Sequence, residues 1–90
     1  MANQRNRTWF ITGASSGFGL SFARHALGLG DKVVATARRT ERLATLAAEF
    51  PDQVLVQALD VTQPAQAQAA VEAAVARFGR IDVVLNNAGY

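Results

Sequence analysis

Four short runs of mostly apolar residues divide this chain, and between them apolar residues recur at spacings of three and four. Residues 8–11, 32–37, 53–59 and 81–85 read as strands. Rich in Val and Leu with little alternation, they suit a parallel sheet covered on both faces. The stretches between them predict helices. Leu43, Leu46, Ala47 and Phe50 make one apolar stripe, and Val71, Ala74, Val75 and Phe78 make another. The first helix is less regular: Leu20, Ala23 and Leu27 share a face that Phe22 and Ala26 widen. Thr40 and Thr62 stand where a side-chain oxygen caps a helix start, and Pro64 falls in a first turn, where its missing N–H costs nothing. Gly30 and Gly79 each follow a helix, where left-handed backbone is wanted. The predicted order, β-α-β-α-β-α-β, is an α/β doubly wound parallel sheet of about four strands and three helices with right-handed crossovers. The last strand is as apolar as the others and needs a neighbour and a helix layer that the sequence does not supply. The pattern therefore predicts an incomplete half of a domain.

Composition removes several classes. The 90 residues allow one domain or part of one. A hydrophobic fraction of 50% and a charged fraction of 18% are ordinary for a globular protein. The net charge of +2 is spread along the chain without a basic block, so nucleic acid is not an expected partner. With no cysteine there are no disulfides, thiolate metal sites or thiol nucleophiles. No apolar run approaches the roughly 20 residues that cross a bilayer. The run behind the polar N-terminal segment, Trp9-Phe10-Ile11, falls short of the about 7–15 residues of a signal-peptide core. A cytoplasmic protein with no membrane partner is expected.

The stretch with the most chemistry is Thr12-Gly13-Ala14-Ser15-Ser16-Gly17-Phe18-Gly19, which joins the first strand to the first helix. Glycines let the backbone take positive φ and leave no Cβ between peptide and ligand. The following helix points unpaired N–H groups and its positive dipole end at an anion. The spacing of Gly13, Gly17 and Gly19 differs from G-x-G-x-x-G, and no Lys follows, so the residues alone support phosphate binding without naming a cofactor. His25 reads as a solvated residue, Trp9 as packing beside the first strand, and Glu72, Arg77 and Arg80 as surface charges.

With these residues in place the chain resembles the short-chain dehydrogenase/reductase family over essentially its whole length. The family's Thr-Gly-x-x-x-Gly-x-Gly stands as residues 12–19, its Asn-Asn-Ala-Gly as Asn86-Asn87-Ala88-Gly89, and its acidic residue after the third strand as Asp60, followed by Val61. Phe18 departs from the aliphatic residue usual at its position. The resemblance implies a Rossmann-type fold with strand order 3-2-1-4, residues 1–90 being the N-terminal part of a single NAD(P)-binding domain. It also implies roles. Gly13 permits the tight turn, Gly17 close approach of the diphosphate, and Gly19 packing of helix on strand. The hydroxyls of Ser15 and Ser16 bond phosphate or ribose, or cap the helix. Asp60 accepts from the adenine amino group, or alternatively bonds local N–H groups, and the Val61 backbone completes the contact. The backbone of Asn87, Ala88 and Gly89 lines the adenosine ribose, while Asn86 or Asn87 locks neighbouring strands.

Enzymes using NAD place an Asp or Glu about 20 residues past the glycines. Here Ala37 stands there, followed by Arg38 and Arg39. A guanidinium binds a 2′-phosphate through paired hydrogen bonds, which points to NADP rather than NAD unless Glu41 occupies the arginines. The family's catalytic Tyr-x-x-x-Lys cannot occur here, because the only Tyr is Tyr90 and the only Lys is Lys32. The expectation is thus the cofactor-binding fragment of an NADP(H)-dependent oxidoreductase that interconverts an alcohol and a carbonyl, inactive by itself and a homo-oligomer when complete. A nucleotide-binding module without chemistry is the rival. A sugar-nucleotide epimerase-type relative is disfavoured by its usual Gly-x-x-Gly-x-x-Gly spacing.

Overall fold

A computed structural model of the chain describes residues 6–15 and 17–87. Four strands form one parallel sheet: β1 (Thr8–Thr12), β2 (Lys32–Ala37), β3 (Val54–Ala58) and β4 (Val83–Asn86). Their order is β3-β2-β1-β4, as the family resemblance implied. β1 pairs with β2 in the register Thr8↔Lys32 and with β4 in the register Trp9↔Val83.

Alternation along the strands sends side chains to two helix layers. On one face Ile11, Val33, Ala35 and Val54 pack with Ala23, Ala26 and Leu27 of α1 (Gly17–Gly28). Leu43 and Leu46 complete that layer, from a 3₁₀ turn (Glu41–Leu43) and α2 (Ala44–Glu49). On the other face Phe10, Val34 and Leu59 pack against Ala70 and Ala74 of α3 (Pro64–Phe78). Each large aliphatic side chain fully buried here contributes about 1.5–3 kcal/mol. Arg24 of α1 holds Glu49 of α2 through two hydrogen bonds, at 3.3 and 2.8 Å, across that layer.

The start of the central strand is clamped by carboxylates. Buried Asp31 accepts from the Arg7 N–H at 3.1 Å and from the Trp9 indole N–H at 2.9 Å. Asp82 accepts from the Thr8 N–H at 2.8 Å and from Arg80 Nε at 2.8 Å. Trp9 therefore packs against the core, as read, and also makes a hydrogen bond that its sequence position did not announce.

Pro64 does occupy the first turn of α3, and Gly30 and Gly79 do adopt positive φ, 88° and 85°. His25 is exposed. Four sequence expectations need correction. Thr40 makes no side-chain cap; its carbonyl instead accepts from Leu43 N–H at 2.9 Å. Thr62 is not the cap of α3, because its N–H and hydroxyl both turn back to Asp60, leaving Gln63 as the capping residue. Of the stripe read in α3, Ala74 is buried and Phe78 packs against the core, whereas Val71 and Val75 are 43% and 47% exposed; Ala70 joins Ala74 against the sheet, and these small side chains allow close approach. Phe22 is likewise exposed, whereas Phe50, at the C-terminal end of α2, packs against the core as its stripe predicts.

Candidate functional site

The carboxyl ends of β1, β2 and β3 open into one groove of about 830 Å³. Three connections make its wall: Gly13 and Ser15 after β1, Ala37, Arg38 and Arg39 after β2, and Leu59, Asp60, Val61 and Thr62 after β3. Glu41 and Arg42, on the 3₁₀ turn, close the rim. In an open parallel sheet this is the place where connecting loops leave a crevice.

The loop after β1 is built on backbone conformations that favour glycine. Gly13 has φ 62° and Gly17 has φ 50°. The Ala14 N–H donates to Thr36 O at 2.9 Å, tying the loop to β2. Gly19 meets a different constraint: a Cβ there would lie 2.4 Å from Gly13 O and 2.7 Å from Asn87 Nδ2. That close approach lets α1 start directly beneath the loop. A Cβ at Gly17 would meet nothing within 4 Å.

The fourth strand fastens this loop from the other side. Asn87 Nδ2 donates to Gly13 O at 3.1 Å, and the Thr12 hydroxyl donates to Asn86 Oδ1 at 2.9 Å. Both asparagines thus link β4 to the end of β1, whereas the sequence reading had left the choice between them open.

Five charged side chains surround the groove: Arg38, Arg39, Arg42, Glu41 and Asp60. The three arginines are exposed, and Glu41 pairs with none of them among the described residues. Asp60 Oδ1 accepts from the Thr62 hydroxyl at 2.7 Å and the Thr62 N–H at 2.9 Å. Those two bonds, with the positive charge of Arg38, hold the Asp60 carboxyl below the usual carboxylate range. The local bonding considered for Asp60 is thus present at one oxygen, while Oδ2 has no hydrogen bond among the described residues.

Of the predicted site residues, Gly13, Ser15, Arg38, Arg39, Asp60 and Val61 meet in this groove. Gly17, Phe18, Gly19 and Asn87 lie outside its lining, with Phe18 75% exposed at the start of α1. Ser16, Ala88 and Gly89 lie outside the described residues. Sequence reasoning missed Arg42 and Thr62 as groove residues. Arg42 carried a usable signal, since it follows Arg39 by three positions at a helical start, while its neighbour Leu43 is the buried one. A smaller apolar cleft of about 280 Å³ lies between α3 and β4, bordered by Val71 and Val84. Among the described residues no cluster of three potential metal ligands occurs, and no helix is long and apolar enough to cross a membrane.

Known proteins share this fold. The family model for short chain dehydrogenases matches residues 7–90. An oxidoreductase of Botryotinia fuckeliana, BOA17, is 52% identical over 85 residues, which is 93% of this chain and 31% of that protein. The NADP-dependent 3-hydroxy acid dehydrogenase YdfG of Salmonella typhi is 43% identical over 79 residues, 88% of this chain and 32% of its own length. Among solved structures, a short-chain dehydrogenase from Streptomyces avermitilis superposes with a TM-score of 0.87 at 45% identity, covering 91% of this chain and 30% of that one. A 3-ketoacyl-(acyl-carrier-protein) reductase from Brucella melitensis, complexed with NADH, gives 0.84 at 36% identity, covering 91% and 34%. The chain spans about a third of the length of these relatives. With the parallel sheet, the glycine loop and its asparagine lock, and a family match over nearly its whole length, this chain belongs to the short-chain dehydrogenase family.

Proposed function

We propose that these residues form the cofactor-binding N-terminal part of a single dinucleotide-binding domain, in a cytoplasmic, oligomeric oxidoreductase that uses NADP(H) to interconvert an alcohol and a carbonyl. The observation that carries the reading is the end of β2, where Ala37 stands in place of an acid and Arg38 and Arg39 line the groove without an ion-pair partner among the described residues. A carboxylate at that point would repel a 2′-phosphate, and an unpaired guanidinium attracts one. Relatives of both kinds occur, one named NADP-dependent and one complexed with NADH, so the preference rests on the groove itself.

The groove suits such a cofactor in its donor set. Gly13, Ser15, Ser16, Gly17, Phe18 and Gly19 would hold the diphosphate through backbone N–H groups and hydroxyls. The open space at Gly17 leaves room for that approach. Arg38 and Arg39 would hold the 2′-phosphate, Asp60 and Val61 the adenine, and Asn87, Ala88 and Gly89 the adenosine ribose. When bound, the nicotinamide supplies or accepts hydride. These 90 residues contain no Tyr-x-x-x-Lys pair to move the accompanying proton, so the chain itself should turn over no alcohol or carbonyl.

Calorimetric titration with NADP+, NAD+, 2′,5′-ADP and 5′-AMP tests the proposal. Tighter binding of the 2′-phosphorylated member of each pair is expected. Arg38→Ala should weaken it by about 10- to 100-fold while leaving the unphosphorylated member nearly unchanged. Preference for NAD+, or an unchanged ratio in Arg38→Ala, would reduce these arginines to a solvated corner.

A further inference from the structure

We infer that Thr62 and Gln66 are positioning residues which hold Asp60 as a fixed acceptor, so that the groove selects a nucleobase bearing an exocyclic amino group over one bearing a carbonyl. The inference rests on the reading of the groove as a cofactor site and adds residues to which that reading assigns no role.

Asp60 is restrained at every polar atom but one. Its N–H donates to Gln66 Oε1 at 2.8 Å, from the first turn of α3. Its carbonyl accepts from Gln63 N–H at 2.9 Å. Its Oδ1 takes both donors of Thr62, at 2.9 and 2.7 Å. The preceding Leu59, buried in the core, donates its N–H to Ala37 O at 2.9 Å and so anchors the segment to the end of β2. Oδ2 is left as the available acceptor on a residue that lines the groove. Since Thr62 bonds favour the ionised carboxyl, Asp60 accepts and does not donate.

An immobilised carboxylate discriminates sharply between ligand groups. An amino group meets an acceptor already oriented for it, with little ordering left to complete on binding. A carbonyl oxygen at the same place meets a negative charge and finds no donor. Freed from Thr62, the side chain could rotate away from the carbonyl, and from Gln66 the backbone N–H would return to solvent. Either release should lower discrimination without touching the arginines that read the 2′-phosphate.

The test uses the full chain and four nucleotides: NADP+, NAD+, and nicotinamide hypoxanthine dinucleotide with and without the 2′-phosphate. The hypoxanthine forms replace the amino group by a carbonyl. Wild type should bind the amino forms about tenfold or more tighter, the scale of one charge-assisted hydrogen bond. Thr62→Val and Gln66→Leu should each reduce that ratio several-fold, while Thr62→Ser and Gln66→Glu restore it. The ratio of phosphorylated to unphosphorylated ligand should stay constant throughout. Thermal melts identify any variant that fails to fold; should Thr62→Val be one, Gln66→Leu carries the test. A wild type that binds none of the four overturns the cofactor reading and this inference together. A wild type that binds without discrimination, or variants that keep the wild-type ratio, overturn the inference and leave the cofactor reading standing.

Discussion

Substituting Ala at Gly19 should destabilise the chain by about 2 kcal/mol, and the size follows from the contacts around one absent methyl group. The new Cβ would sit 2.4 Å from Gly13 O, 1.0 Å short of the 3.4 Å at which ordinary contact begins. It would also lie 2.7 Å from Asn87 Nδ2 and 3.0 Å from Ala14 Cα. None of these can retreat freely. Asn87 is bonded to that same Gly13 carbonyl, and Ala14 is tied to Thr36 across the sheet. Overpacking of this kind costs about 1–3 kcal/mol, and loss of the Asn87 hydrogen bond adds about 0.5–1.5 kcal/mol. Ala favours helix over Gly by about 0.5–1 kcal/mol, which offsets part of the loss. The net, roughly 0.5–4 kcal/mol, is centred near 2 and lowers Tm by about 8–16 °C at about 4–8 °C per kcal/mol. Two other glycines of α1 act as controls. Gly28→Ala meets nothing within 4 Å and has no positive φ, so it should stabilise by about 0.5–1 kcal/mol. Gly17→Ala also meets nothing, but at φ 50° it should cost about 1–2 kcal/mol through the backbone alone. Urea unfolding followed by circular dichroism at submicromolar concentration ranks the three. If Gly19→Ala is as stable as wild type, or Gly28→Ala is the most damaging, the steric account of this loop is wrong.

Other perturbations follow from the clamp and the sheet edge. Trp9→Phe removes the indole donor from buried Asp31 and should cost about 1–3 kcal/mol in urea unfolding; a neutral result would mean that packing alone fixes position 9. The Asp82 carboxyl is held below its ordinary range chiefly by the Thr8 N–H, then by Arg80. Its folded pKa is thus lower than its unfolded one, so its contribution is fully present above the ordinary carboxylate range and is lost as pH falls through the lowered value. The Tm gap between wild type and Asp82→Asn should therefore close on acidification from pH 6 to 2.5, and a constant gap would refute this. Val84, 66% exposed on the edge strand β4, should promote self-association of the isolated chain. Sedimentation at micromolar concentration should show dimers or larger species, reduced by Val84→Lys; a wild-type monomer would contradict the prediction.

The sheet was legible because strand identity here rests on short apolar runs, a signal that needs no tertiary information. β2 coincides with the residues read from the sequence, whereas β4 starts two residues late because Asp82 bonds the Thr8 N–H at the strand entry. Helix faces were harder to read. In α3 Ala74 and Phe78 of the stripe do face the core, but the bulkier Val71 and Val75 do not; the buried face is turned toward Ala70, since backbone approach favours small residues there. Local competition defeated the cap assigned to Thr62: an aspartate two residues upstream offers its donors a nearer acceptor than a helix end offers them work. At the groove, Gly13, Arg38 and Asp60 were legible because each ends a strand. Arg42 was legible only through its three-residue spacing from Arg39, because it is the 3₁₀ turn, pinned by buried Leu43, that carries it to the rim.

The asparagine lock also fixes an order of assembly. β1 meets β2 across 24 residues of chain, at Thr8↔Lys32, but meets β4 across 74, at Trp9↔Val83. Closing the longer loop costs about 1 kcal/mol more in chain entropy, and β4 brings only four residues with a neighbour on one side. β4 should therefore be the last strand to join the sheet and the first to leave, its amides exchanging with solvent well before those of β1 and β2. Because Asn87 travels with that strand, each opening also releases the carbonyl of Gly13. A nucleotide that needs the closed glycine loop would then slow exchange in Val83–Asn86, on the far side of β1 from the arginines that read its phosphate.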